Sequence, residues 1–148
     1  MKLNEAAVLI LRQKGPYVHS IAPDATVYEA LASMGEKDIG ALVVMDGNTL
    51  VGLISERDYA RKVILKGGTS KEMRVYEIMS SPITVDCKTT IDECMRTITE
   101  ERCRHLVVVD GDRVAGLISI GDVINWIITA QGQTIHQLED YISGKYPC

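Results

Sequence analysis

The feature that most constrains this chain is that it contains one segment twice. Leu42-Val43-Val44-Met45-Asp46-Gly47 returns as Leu106-Val107-Val108-Val109-Asp110-Gly111, and Gly52-Leu53-Ile54-Ser55-x-x-Asp58 returns as Gly116-Leu117-Ile118-Ser119-x-x-Asp122. Every counterpart lies 64 positions on, and Thr26-Val27-Tyr28-Glu29 and Thr90-Ile91-Asp92-Glu93 keep the same offset. A repeat of this length without insertion or deletion means two copies of one supersecondary unit, neither of which can bury its apolar face alone. The copies must therefore pack on each other.

Within a copy, periodicity assigns the elements. Val27, Ala30, Leu31 and Met34 recur at helical spacing behind Thr26, whose hydroxyl can cap the first free N–H groups. Ala41 to Met45 and Leu50 to Ile54 are short β-branched runs joined by Asp46-Gly47-Asn48-Thr49, a hairpin signal because glycine supplies the positive φ of the turn. A closing helix is expected from Glu56 to Lys66. The second copy repeats the plan with Ile91, Cys94, Met95 and Ile98, strands His105 to Val109 and Val114 to Ile118, and a helix from Gly121 to Ala130. Short strands at Val18 to Ile21 and Ile83 to Val85 open the copies, and a short helix is expected at Val75 to Met79.

Terminal helices are expected at Asn4 to Lys14, stopped by Gly15-Pro16, and at Thr134 to Ser143, stopped by Gly144. They would cover apolar surface or build a dimer. The chain then divides into an N-terminal helix (1–15), repeat 1 (16–66), a linker (67–81), repeat 2 (82–130) and a C-terminal helix and tail (131–148). The fold class is α/β or α+β: two tandem β-α-β-β-α repeats packed as a pseudo-twofold pair, with helices at both ends.

Gly52-Leu53-Ile54-Ser55-Glu56-Arg57-Asp58 and Gly116-Leu117-Ile118-Ser119-Ile120-Gly121-Asp122, each behind a Leu-Val-Val-x-Asp-Gly hairpin, resemble the signature of tandem CBS domains, the pair called a Bateman module. The resemblance covers residues 16 to 130. A Ser at a strand-to-helix turn, with free N–H groups behind it, suits a phosphate, and an Asp three residues later can accept hydrogen bonds from vicinal hydroxyls. The resemblance implies that Asp58 and Asp122 hold ribose, that Ser55 and Ser119 approach the phosphate, and that adenine slots between apolar strand residues. Read without it, each Ser and Asp is equally a helix cap.

The copies differ where a ligand would be chosen. Repeat 1 carries Glu56-Arg57 in the motif and Arg61-Lys62 behind it, where repeat 2 has Ile120-Gly121 and Asn125-Trp126. Repeat 2 has Arg104-His105 where repeat 1 has Gly40-Ala41. The resemblance implies that basic side chains at this position point at phosphates in the cleft between repeats, which makes Arg104 and His105 candidates to meet a ligand held by Asp58 or Asp122, while Arg57 would add charge at the nucleotide and Gly121 would leave room for close backbone approach. The bland reading makes the basic residues solvated charges, His105 a satisfied core histidine, and Trp126 with Ile127-Ile128 core or dimer contacts.

Composition narrows the function. A net charge of −4 gives no general attraction to nucleic acid or anionic membranes, and the absence of Phe argues against a base-stacking surface. Ala6 to Leu11 is too short for a signal sequence or a membrane span, so a cytoplasmic protein is expected. Cys87, Cys94, Cys103 and Cys148 form no C-x-x-C pair, His19 and His136 lie far from them, and no metal is expected. No phosphate-cradling loop of P-loop type and no paired carboxylates with a base suggest an enzyme. Cys103, between Arg102 and Arg104, is the thiol whose neighbours are placed to lower its pKa.

The expectation is a regulatory module that binds AMP, ADP, ATP, NAD or a related adenosyl ligand between its repeats. It would be an energy or redox-state sensor in signal transduction, a homodimer acting on an unidentified protein. The alternative is a protein interaction scaffold with vestigial clefts.

Overall fold

The computed structural model describes residues 5–15 and 17–129. Helix α1 (Val8–Lys14) precedes β1 (Ser20–Ile21), α2 (Val27–Lys37), β2 (Ala41–Asp46), β3 (Thr49–Ser55) and α3 (Glu56–Lys62). A 3-10 turn (Ile64–Lys66) and α4 (Val75–Ile78) lead to β4 (Thr84–Asp86), α5 (Ile91–Glu101), β5 (His105–Asp110) and β6 (Arg113–Ser119). A further helix, α6, occupies 120–129. The result is the expected α+β duplication, with sheets β1-β2-β3 and β4-β5-β6. In each sheet the first strand pairs parallel to the second, and the hairpin is antiparallel. The helix expected at Thr134 to Ser143, with His136 and Cys148, lies outside the described residues.

The repeat is kept in its local chemistry. Thr26 and Thr90 each accept from the backbone N–H three residues on, and Glu29 and Glu93 return the bond to the cap residue's own N–H. The hairpin strands run further than expected, to Asp46 and Thr49, because these two pair across the turn and leave Gly47 at φ 62°. Helix α3 departs from the expected run to Lys66. It ends at Lys62, and buried Val63 leaves regular helical geometry (φ −111°, ψ −66°) while its carbonyl accepts from Gly68 N at 2.9 Å. A tighter turn closed by Gly67 (φ 76°) follows, which lets Val63 enter the core.

Helix α1 starts at Val8, later than expected, because the preceding residues pair in extended form with repeat 2. Ala7 N donates to Thr89 O at 2.8 Å and Ile91 N to Glu5 O at 2.9 Å. Asn4, the expected cap, lies outside the described residues, and Ala7 at the cap position offers no side-chain acceptor. The same bonds recur between the linker and repeat 1: Val75 N donates to Ala25 O and Val27 N to Met73 O, both at 2.9 Å.

Each bracing helix thus completes the repeat that it does not directly precede. Ala7 and Ile10 of the α1 segment are buried with Val85, Ile91, Leu106 and Ile118, whereas Val75 and Ile78 of α4 are buried with Val27, Met34, Leu42 and Ile54. The motif glycines make room for this. A Cβ on Gly116 would lie 2.5 Å from Leu11 Cδ2, and one on Gly52 would lie 2.6 Å from Met79 Sδ.

Candidate functional site

The end of β3 and the end of β6 each turn into a helix at the Ser-x-x-Asp motif, and both turns are reciprocal caps. Ser55 Oγ accepts from Asp58 N at 3.1 Å while Asp58 Oδ2 accepts from Ser55 N at 3.0 Å. In repeat 2 the corresponding distances are 3.0 Å and 2.8 Å. The capping role is therefore real, and it occupies one carboxylate oxygen of each aspartate.

Each motif opens onto a cleft whose opposite wall belongs to the other repeat. The first cleft, about 620 Å³, joins Leu53, Ser55, Arg57 and Asp58 to Arg102, Cys103, Arg104 and His105 from the α5-to-β5 turn. The second, about 400 Å³, joins Gly116, Leu117, Ser119 and Asp122 to Asp38, Ile39, Gly40 and Ala41 from the α2-to-β2 turn. The helix-ending residues Asp38 and Arg102 both adopt left-handed geometry (φ 54° and 53°), which carries the chain round into each cleft wall.

Of the residues singled out from sequence, Ser55, Arg57, Asp58, Arg104 and His105 line the first cleft, and Ser119 and Asp122 line the second together with His105, which faces both. Gly121 is outside both linings, and a Cβ there would make only ordinary contact with Ser119 Oγ at 3.6 Å. No protein atom thus requires glycine at this position.

Charge separates the clefts. Arg57, Arg61, Lys62, Arg102 and Arg104 surround the first against Glu56 and Asp58. Lys14 is the lysine of the second, facing Asp38 and Asp122. Asp58 is fully engaged: Oδ1 accepts from Ser80 Oγ at 2.9 Å and lies 3.2 Å from Lys62 Nζ, and Oδ2 also accepts from Ser55 Oγ. Asp122 Oδ2 accepts from Lys14 Nζ at 2.7 Å, and the same ammonium donates to Leu117 O at 2.8 Å. Among the described residues Asp122 Oδ1 has no hydrogen-bond donor.

Burial works to raise the Asp122 carboxyl, but the bonds from Lys14 and from Ser119 N–H outweigh it and hold the group below its ordinary value. Burial pushes His105 down, with the cations of Lys14 and Arg104 acting the same way against Asp122 and Asp58.

Sequence reasoning missed Lys14, Asp38 and Ser80, and gave Lys62 no role. Lys62 was legible as the i+4 partner of Asp58. Lys14 lies 108 residues from Asp122 and carries no local signal. Cys103 corrects an expectation: burial outweighs its neighbours and raises the thiol. Cys87 is raised as well, and Cys94 is pushed up to about 11. Among the described residues no cluster of three His, Cys, Asp or Glu side chains is placed to hold a metal, and no helix is long and apolar enough to cross a membrane.

A duplicated α+β unit with one Ser-x-x-Asp turn in each of two inter-repeat clefts defines a tandem-repeat module. Residues 3–65 and 75–129 match the model of the CBS domain, and the chain belongs to that family. A Burkholderia ambifaria protein with CBS domains is 43% identical, with a TM-score of 0.81 over 85% of this chain and 96% of its own. A CBS-domain protein of Pyrobaculum aerophilum, solved in complex with AMP, is 25% identical, with a TM-score of 0.72 over 79% of this chain and 88% of its own. The mitochondrial CBS-domain protein CBSX3 of Arabidopsis thaliana is 38% identical over 83% of this chain, which spans 63% of that relative's length.

Proposed function

We propose that this chain is a regulatory module that binds adenine nucleotides in its two inter-repeat clefts. The observation that carries the reading is that both copies of the Ser-x-x-Asp turn open onto a cleft of nucleotide size, about 620 and 400 Å³. The Pyrobaculum relative's complex with AMP supports the ligand class. Ser55, Arg57, Asp58, Arg104 and His105 serve the first cleft, and Ser119, Asp122 and His105 the second. The cationic first cleft suits the polyphosphate of ADP, ATP or NAD, and the second a ligand of smaller charge such as AMP.

On this reading the chain signals by a shift between states that bind the ligand unequally, and it is not an enzyme. The raised thiols support this, since none of the three is activated as a nucleophile. A reducing cytoplasm suits those free thiols, with the organelle of the Arabidopsis relative as the alternative. Ile120, Ile124 and Ile128 recur at helical spacing on α6 and are 41%, 48% and 60% exposed, which supports a homodimer through this face. The regulated partner would read the dimer's change of state.

The scaffold reading draws on one specific observation: Ser55, Ser80 and Lys62 already satisfy Asp58, as a purely structural aspartate requires. Thermal unfolding with millimolar AMP, ADP, ATP, NAD and S-adenosylmethionine separates the two. Nucleotide binding raises the midpoint by several degrees, and Asp58→Ala and Asp122→Ala each remove part of that shift. No shift with any of the five establishes the scaffold.

A further inference from the structure

The two bracing segments end differently, and the difference falls on the candidate sites. Beyond α4, Ser80 exchanges backbone hydrogen bonds with Leu53, both at 2.9 Å, and its hydroxyl donates to Asp58. The chain there is sewn to β3. Beside repeat 2, the matching carbonyl of Leu117 and the matching carboxylate of Asp122 both receive the Lys14 ammonium instead. A single flexible side chain on α1 makes two of the three connections that Ser80 makes with its backbone and hydroxyl, and the bond from Leu53 N to Ser80 O has no counterpart on Lys14.

We propose that Lys14 is a latch that holds the end of α1 on the second cleft and that an adenosine-class ligand lifts, an inference that rests on the nucleotide reading above. Asp122 Oδ2 already accepts from Ser119 N and Lys14 Nζ, so a vicinal diol that uses both carboxylate oxygens competes with the ammonium. The Lys14 side chain is 40% exposed, and a partly exposed ion pair is weak enough for a ligand to displace.

Once released, α1 has little to keep its last turn in place. It is seven residues long, short of what a helix needs to persist alone, and Ile10 is its one fully buried residue. Leu11 is then free to withdraw from Gly116. Occupancy of the second cleft is thereby written onto the N-terminal helix, and by linkage anything that holds α1 down weakens the ligand.

Hydrogen exchange of the full chain, read at residues 8–15 with and without AMP, tests this alongside calorimetric titration. In the wild type, saturating AMP accelerates exchange at 8–15 several-fold and leaves 75–78 unchanged. Lys14→Met keeps the aliphatic stem, exchanges fast without ligand and binds AMP more tightly in the second cleft. Lys14→Arg keeps the latch and behaves as the wild type. Binding heat with unchanged or slower exchange at 8–15, or weaker binding by Lys14→Met, overturns the latch and leaves the nucleotide reading standing. No binding heat in either protein overturns both.

Discussion

The first and second clefts are assembled from the same parts in the same order, yet one is ringed by arginines and the other is not. The difference does not sit in the cap geometry of the Ser-x-x-Asp turns, which agrees within 0.2 Å. It has two sources: Arg57, Arg61 and Lys62 on the first motif and its helix, where repeat 2 has Gly121, Asn125 and Trp126, and the helix-to-strand turns that cross to the other repeat's cleft, where Asp38 faces the second cleft and Arg102 and Arg104 the first. Part of each cleft's charge is therefore supplied by the other repeat. Duplication preserves the scaffold while the crossing turns diverge.

The bracing helices offer the harshest way to break the comparison. Ile78 on α4 and Ile10 on α1 are both buried, at 2% and 3% exposure. Ile78→Ala is expected to lower global stability by about 3 kcal/mol, as buried Ile-to-Ala changes do. Ile10→Ala should cost visibly less in denaturant unfolding, because α1 is tied down less firmly and can open locally without unfolding the whole chain. Equal losses would show that α1 is as integral to repeat 2 as α4 is to repeat 1.

Ligand charge sharpens the contrast at smaller energies. Arg104→Ala should weaken ATP about tenfold, the loss of one charge-assisted contact, and leave adenosine unaffected. Calorimetry at rising salt should show ATP binding at the first cleft fading and the second cleft barely responding. Asp38→Asn, tolerated in left-handed geometry, should tighten AMP in the second cleft by a few-fold. An Arg104→Ala protein that loses adenosine and ATP equally would mean that Arg104 shapes the cleft and does not meet phosphate.

The offset of 64 made the strands, the caps at Thr26 and Thr90 and the two Ser-x-x-Asp turns legible, because the caps close within three residues and each hairpin pairs segments joined by one short turn. The destination of α1 was not. The sequence shows that the helix ending at Lys14 has apolar surface to cover, but not which repeat it covers, and the bond from Lys14 to Asp122 joins residues 108 positions apart. The break in α3 was hidden for a related reason: Val63 leaves the helix to fill the core, a tertiary demand that local propensity does not record. Arg104 and His105, which line the clefts, stood out because their counterparts, Gly40 and Ala41, are so unlike them and because the family resemblance drew attention to that position.

His105 gives the smallest effect, and one that reports on both clefts at once. Its folded pKa lies below the ordinary 6.5, so as pH falls the unfolded chain takes up the proton first and stability declines from about pH 6.5 downward. Asp122, held below 3.8, acts in a separate window: its contribution is present above 3.8 and lost as pH falls below that value. His105→Gln should therefore flatten the stability profile between pH 7 and 5 by well under about 1 kcal/mol, the scale of half-buried surface groups, and leave the acid limb alone. Imidazole titration by NMR resolves the contributions, since Lys14 and Arg104 both depress the ring while Asp122 and Asp58 raise it. Lys14→Met and Arg104→Ala should each move it upward, Lys14→Met more, because Lys14 is the stronger of the two cationic influences. A ring that answers to Arg104 alone would assign His105 to the first cleft and leave the second with His19 as its histidine.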